Sequence, residues 1–209
     1  MAFRTRVKIC GLTSVEDALL AVNAGADAIG LVFYGPSPRF VENEQAAEIA
    51  KSLPAFVTKT ALFVNPDIED VESVLAEVDI DLIQFHGDEP AEFCEQFAKP
   101  FIKAVRMRET TDLKILEREF NQASGLLLDA YIPGVPGGTG EQFNWSWIPE
   151  KLDVPVILAG GLTSDNVKQA IKTASPWAVD VSGGVEMSKG VKSPEKIKKF
   201  MQQVMSTVE

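Results

Sequence analysis

Four segments of the chain repeat one spacing of apolar residues, i, i+3, i+4, i+7: Val15/Ala18/Leu19/Val22, Ala46/Ile49/Ala50/Leu53, Val167/Ala170/Ile171/Ala174 and Ile197/Phe200/Met201/Val204. That period lays one apolar stripe along a helix, to be buried against a core while the other faces meet water. Between them lie short runs too apolar to alternate, at 28–33, 126–128 and 154–159, which suit parallel strands covered on both faces. The pattern predicts strands near 7–11, 28–33, 58–64, 82–86, 101–106, 125–129, 155–159 and 178–182. A helical segment follows each, the sixth (around 143–150) being short and weakly patterned. Asn65-Pro66 and Ser193-Pro194 each offer an N-cap with proline at the first helical position, and Thr13-Ser14-Val15-Glu16 has the spacing of a capping box.

Eight β-α units, with no Gly-, Ser- or Pro-rich linker between them, predict one domain over 1–209, an α/β chain closed into a (β/α)8 TIM barrel. The alternation also allows an open doubly wound sheet, but the first turn, Cys10-Gly11-Leu12-Thr13, lacks that fold's dinucleotide fingerprint. Gly11-Leu12-Thr13-Ser14 recurs as Gly161-Leu162-Thr163-Ser164 after the seventh strand, as a repeated strand-turn-helix unit would. At 209 residues the barrel is small for its class, so its loops must be short.

Composition narrows the function. Hydrophobic residues at 45% and charged residues at 24% are those of an ordinary globular chain. Twenty Lys and Arg against 30 Asp and Glu leave a net charge of −10, without the basic footprint that nucleic-acid binding requires. An anionic small ligand stays open, because a few backbone N–H groups make a local positive site. Cys10 and Cys94 have neither disulfide nor metal-ligand spacing, and His86 is the only histidine, so no metal is expected. The first residues lack the apolar core of a signal peptide, and the most apolar stretch, 18–33, is broken by Asn23 and Asp27. The expectation is a cytoplasmic protein without a membrane partner, its oligomeric state open and a monomer the default.

In a barrel the C-terminal strand ends and their loops build the site. In order they carry Cys10, Arg39, Asn65, His86, Arg106, Asp129, Gly160 and Gly161, then Asp180 with Ser182. Cys10 reads either as a small buried residue or as a reactive thiol, with Lys8 on the same side of its strand to favour the thiolate; Cys94 reads as core. Asp129, after three leucines, is either the cap of its turn or a proton donor. Glycine-rich stretches at 136–140, Gly160-Gly161 and Gly183-Gly184 suit tight turns, and the last two follow the strands where barrels commonly bind phosphate. Arg39, in a loop stiffened by Pro36 and Pro38, is either solvated or set to grip a substrate carboxylate in bidentate fashion. His86 is either a proton carrier or a hydrogen-bonded support.

Together these residues resemble the phosphoribosylanthranilate isomerases. The resemblance runs through Lys8-Ile9-Cys10-Gly11-Leu12-Thr13, Ser37-Pro38-Arg39, Leu62-Phe63-Val64-Asn65 and Gln84-Phe85-His86-Gly87-Asp88-Glu89. It continues with Leu128-Asp129, the loop at 136–140, Leu158-Ala159-Gly160-Gly161-Leu162, Val179-Asp180-Val181-Ser182 and Gly184-Val185-Glu186, spanning nearly the whole chain. It implies a cofactor-independent aldose-ketose isomerase of tryptophan biosynthesis, taking a phosphorylated substrate through an Amadori rearrangement. Cys10 would be general base and Asp129 general acid, Arg39 would meet the anthranilate carboxylate, and the 160–161 and 182–184 loops would bind phosphate. His86 and Asp180 would join the substrate site. Gly183 stands where the family often has a serine, and Asn144 where aspartate is expected. A related phosphosugar isomerase of histidine biosynthesis has aspartate where Cys10 stands, and a metal-dependent pentose-phosphate epimerase needs more than one histidine. A catalytically idle, phosphate-binding barrel is the alternative outside enzymes.

Overall fold

The computed structural model describes residues 4–130 and 142–207. Eight strands, β1 (Arg6–Cys10), β2 (Ala28–Val32), β3 (Thr58–Phe63), β4 (Leu82–Phe85), β5 (Phe101–Met107), β6 (Leu126–Ala130), β7 (Val156–Leu158) and β8 (Ala178–Val181), pair in sequence order and close into a barrel. Every pair is parallel, and the seam joins β1 to β8, with Arg6 opposite Ala178 and Ile9 opposite Val181. Closure removes the open sheet as an alternative. Each strand lies within one residue of its expected bounds.

Alternation along the strands sorts the residues into layers. Outward positions such as Val7, Ile9, Ile29, Leu31, Ile83, Phe85, Leu126 and Leu128 join the large apolar cluster that packs the barrel against its helices. Inward positions form two smaller clusters. One, Ile102, Ala104, Leu127, Ile157, Ala159 and Ala178, fills part of the interior; the other, Cys10, Val32 and Leu62, lies toward the C-terminal mouth. Among the other inward residues, the polar Lys8, Thr60, Gln84, Asp129 and Asp180 are all buried.

The helices are α1 (Val15–Asn23), α2 (Asn43–Ser52), α3 (Ile68–Glu77), α4 (Ala91–Cys94), α5 (Leu113–Glu119), α6 (Val167–Ala174) and α7 (Pro194–Met205). Ser193 caps α7 as expected, accepting from Lys196 N at 3.3 Å. The other two starts differ. Ser14 caps α1, accepting from Asp17 N at 3.1 Å, while Thr13 Oγ1 donates to Gly190 O at 2.7 Å. Asp67, not Asn65, precedes α3, and its N–H donates to Asp70 Oδ2 at 3.3 Å. Asn65 instead takes a left-handed φ of 47° and accepts from Asp88 N at 2.7 Å, tying two loops together. Asparagine tolerates that conformation better than most residues.

Two helical units are reduced. α4 is a single turn, and four rings, Phe85, Phe93, Phe97 and Phe101, pack with centroids 5.4–6.0 Å apart to cover that sector. After β6 the described residues hold only a 3-10 turn, Trp145–Trp147, capped by the Asn144 carboxamide. The stripe on α1 is also rotated: Asp17, Ala18 and Ala21 are its buried residues, and Leu19 is only partly covered. Beyond β8 comes an unforeseen hairpin, β9 (Glu186–Ser188) and β10 (Val191–Lys192), paired antiparallel. No helix among the described residues is long and apolar enough to cross a membrane.

Candidate active site

The C-terminal strand ends surround a cavity of about 390 Å³, within the range of small-molecule sites. Cys10, Arg39, His86, Asp129, Gly160, Gly161, Asp180, Ser182, Gly183 and Gly184 all line it, so every candidate site residue meets at one mouth. Two other residues from the same edge do not. Asn65 serves its loop latch, and Arg106 pairs with Asp88. The glycine-rich stretch at 136–140 lies outside the described residues.

Cys10 ends β1 opposite Gly30 of β2, and a Cβ built on Gly30 would come within 2.7 Å of Cys10 Sγ and 3.0 Å of Lys8 Nζ. Glycine there leaves the thiol its room. Burial pushes the Cys10 thiol above its ordinary value; the Lys8 ammonium opposes this and Asp180 adds to it. Lys8 therefore favours the thiolate as expected, but burial outweighs it in the free site. Lys8 Nζ sits 2.9 Å from Asp180 Oδ1. Burial works against the Lys8 charge, but Asp180 and Cys10 outweigh it and hold the ammonium above its usual range. Cys94 is buried behind the barrel wall, and burial pushes its thiol up to about 12.

Asp129 is buried at the end of β6, its Oδ1 accepting from Ala130 N at 2.8 Å and its Oδ2 lying 3.2 Å from His86 Nε2. His86 Nδ1 is 2.8 Å from the Gln84 side-chain amide nitrogen. With that amide donating, Nδ1 accepts and the ring N–H lies on Nε2, aimed at Asp129. In that tautomer His86 donates to the Asp129 carboxylate.

Below His86 the loop is locked. Glu89 accepts from Gly87 N at 3.0 Å and from Asn65 N at 2.8 Å, and Lys103 Nζ reaches both Glu89 Oε2 and Gly87 O at 2.7 Å. Lys103 and Glu89 are both buried, which their residue types alone do not suggest.

Opposite Asp129, Gly160 and Gly161 take positive φ of 80° and 60°. A Cβ at Gly160 would meet Ala130 N at 2.7 Å, and one at Gly184 would meet Leu162 O at 1.9 Å, so these two loops touch through bare backbone. Residues Gly183–Val185 form a 3-10 turn behind Ser182. The Gly161-Leu162-Thr163-Ser164 echo does not begin a helix directly: Thr163 N donates to Asn166 Oδ1 at 2.8 Å, and α6 starts at Val167. Among the described residues no group of three or more His, Cys, Asp or Glu residues is placed to hold a metal.

Arg39 reaches the mouth already engaged. Its Nε and Nη2 donate to Glu186 at 2.7 and 2.8 Å, and Lys192 Nζ meets the same carboxylate at 2.8 Å. Glu186 was legible only as part of the Gly184-Val185-Glu186 match, and nothing marked Lys192, whose side chain is fully buried.

A family model for N-(5'phosphoribosyl)anthranilate (PRA) isomerase matches residues 7–203. The N-(5'-phosphoribosyl)anthranilate isomerase of Alcanivorax borkumensis is 55% identical over 206 residues, covering 95% of this chain and 94% of that protein. The solved phosphoribosyl anthranilate isomerase of Thermotoga maritima superposes with a TM-score of 0.86 at 39% identity, covering 97% of this chain and 99% of its own. Another, in complex with reduced 1-(o-carboxyphenylamino)-1-deoxyribulose 5-phosphate, gives 0.80 at 36% identity over 97% and 99%. The chain belongs to the N-(5'-phosphoribosyl)anthranilate isomerase family.

Proposed function

We propose that this barrel, as one catalytic domain, converts N-(5'-phosphoribosyl)anthranilate into 1-(2-carboxyphenylamino)-1-deoxyribulose 5-phosphate. Asp129 acts as general acid and Cys10 as general base. Asp129 gives a proton to the ribose ring oxygen as the C1–O bond breaks, leaving an iminium at C1. The Cys10 thiolate then removes the proton from C2, which the adjacent iminium has acidified, and an enolamine forms. Return of a proton to C1 and loss of the enol proton complete the ketone. The iminium is a cation formed beside the thiol, so it favours the thiolate in the same sense as Lys8.

The observation that carries the reading is the cavity itself. It brings Cys10 and Asp129 to one mouth with the bare-backbone loops at Gly160-Gly161 and Gly183-Gly184. Those loops suit a phosphate, with Ser182 beside them, and Asp180 suits a ribose hydroxyl. His86 holds Asp129 in position, and Arg39 meets the anthranilate carboxylate. The relative solved with the reduced product analogue supports the same ligand class.

Each proton transfer is typically worth about 10²–10⁴-fold, or about 3–5 kcal/mol. Cys10→Ser and Asp129→Asn should each lose turnover on that scale, with inorganic phosphate affinity within about threefold of the parent. Failure of the parent chain to convert freshly made N-(5'-phosphoribosyl)anthranilate defeats the assignment. Near-parental turnover in either variant defeats the role of that residue.

A further inference from the structure

The β9–β10 hairpin carries a group of charges that the proton-transfer chemistry does not use. Lys192 Nζ donates to Glu186 Oε1 at 2.8 Å, to Cys10 O at 2.7 Å and to Ser182 O at 3.3 Å, which occupies all three ammonium hydrogens. Glu186 in turn takes the Nε and Nη2 edge of Arg39 in a fork-to-fork pair. The stem of Arg39 packs closely on Gly11, where a Cβ would come within 2.4 Å of its Cδ.

The hairpin is itself fastened to its neighbours. Gly190 O accepts from Thr13, a Cβ at Gly190 would meet Pro38 O at 2.9 Å, and Lys192 N donates to Asp17 Oδ2 at 2.9 Å. Lys196 Nζ reaches Glu186 O at 2.6 Å. The Glu186 fork takes the Nε and Nη2 edge of the guanidinium, so Nη1 is the donor edge left for a ligand in the cavity that Arg39 lines. Two cations share one carboxylate, so the group keeps a net positive charge and still attracts an anion. An incoming carboxylate meets the open edge instead of displacing Glu186, because Lys192 holds Glu186 as well.

We propose that Glu186 and Lys192 are positioning residues that hold Arg39 with one donor edge toward the cavity, as a preset receptor for the aromatic ortho-carboxylate of the substrate. The proposal rests on the reading of Arg39 as the carboxylate contact. The arginine's rotamer freedom is given up on folding and not again on binding, which favours affinity over turnover rate.

The test uses the full chain, with N-(5'-phosphoribosyl)anthranilate as substrate and inorganic phosphate as competitive inhibitor. Glu186→Gln should raise KM on the order of tenfold while kcat stays within about threefold and the phosphate inhibition constant within about twofold. In an Arg39→Ala background the same change should raise KM no further. An unchanged KM, parallel rises in KM and the phosphate constant, or additivity with Arg39→Ala overturns the proposal. Arg39→Ala alone judges the reading beneath it: equal losses for substrate and phosphate reject the carboxylate contact, and the proposal falls with it. Should Glu186→Gln fail to fold, Arg39→Lys decides. That variant keeps the charge but gives Glu186 a single ammonium to capture, so its KM should match that of Arg39→Ala, and a near-parental KM overturns the proposal.

Discussion

Gly30 carries no functional group, yet the geometry around it predicts a catalytic phenotype. A methyl group at this position would lie 2.7 Å from Cys10 Sγ, 3.0 Å from Lys8 Nζ and 3.1 Å from Cys10 Cα. Ordinary contact begins at 3.4 Å, so the sulfur must retreat by at least 3.4 − 2.7 = 0.7 Å or change rotamer. Two effects on stability oppose each other. Replacing glycine inside a strand gains about 0.5–1 kcal/mol, while overpacking a filled site costs about 1–3 kcal/mol. The net is a loss on the order of 1 kcal/mol, or a fall of about 2–4 °C in Tm for a chain of this size. Activity should suffer far more, because misplacing a reacting group by about 1 Å can cost about 100-fold. Gly30→Ala should therefore lose about 10- to 100-fold in kcat/KM on fresh N-(5'-phosphoribosyl)anthranilate while melting only slightly earlier. Gly35→Ala is the matched control, since a methyl there meets nothing within 4 Å. Full activity in Gly30→Ala, at the expected Tm, would refute the placement of the reactive thiol against β2.

Three further outcomes follow from the buried charges. Lys8→Met removes the cation that most strongly opposes the elevation of the Cys10 thiol, and its pull exceeds the push of Asp180. The proposed mechanism uses the thiolate, so the rising limb of kcat/KM should move to higher pH, and a limb that stays or moves down contradicts the assignment. Lys103→Met leaves the Glu89 carboxylate buried without its ammonium, at a cost of about 3–5 kcal/mol and a Tm lower on the order of 10 °C; calorimetry showing no change would rule out a structural role for the pair. Burial raises the Glu186 carboxyl, but Arg39 and Lys192 outweigh it and hold the group below its ordinary 4.5. Its contribution to stability is complete above that ordinary value and fades as pH falls through the depressed one. Denaturant titrations below pH 4.5 should thus show a shallower loss in Glu186→Gln than in the parent, and equal slopes would count against the linkage.

The strands were legible because their outward residues are apolar and their ends are marked by polar groups, as at Leu128-Asp129 and Val181-Ser182. The site was legible because one alternation puts Lys8 with Cys10 and Gln84 with His86 on the inner side of their strands. What escaped were residues whose types contradict their surroundings. Nothing in the sequence marks Lys192, Lys103, Glu89 and Asp17 as buried, yet they lie buried in pairs or against backbone. A lysine of that kind can be recognised only when its carboxylate and carbonyl partners are known, and these lie far away in sequence. The β9–β10 hairpin is too short to carry a period, and α4 is a single turn in a sector that phenylalanine rings cover. Asn65 resembled a helix cap because caps and left-handed turns favour the same side chain.

The seam between β1 and β8 has a consequence for biosynthesis. During synthesis β1 with Cys10 emerges long before β8, which pairs with it, and before Lys192, whose ammonium binds the Cys10 carbonyl. A nascent chain halted between them carries the Cys10 thiol without its enclosing wall, so the cavity is completed only when β8 closes the seam.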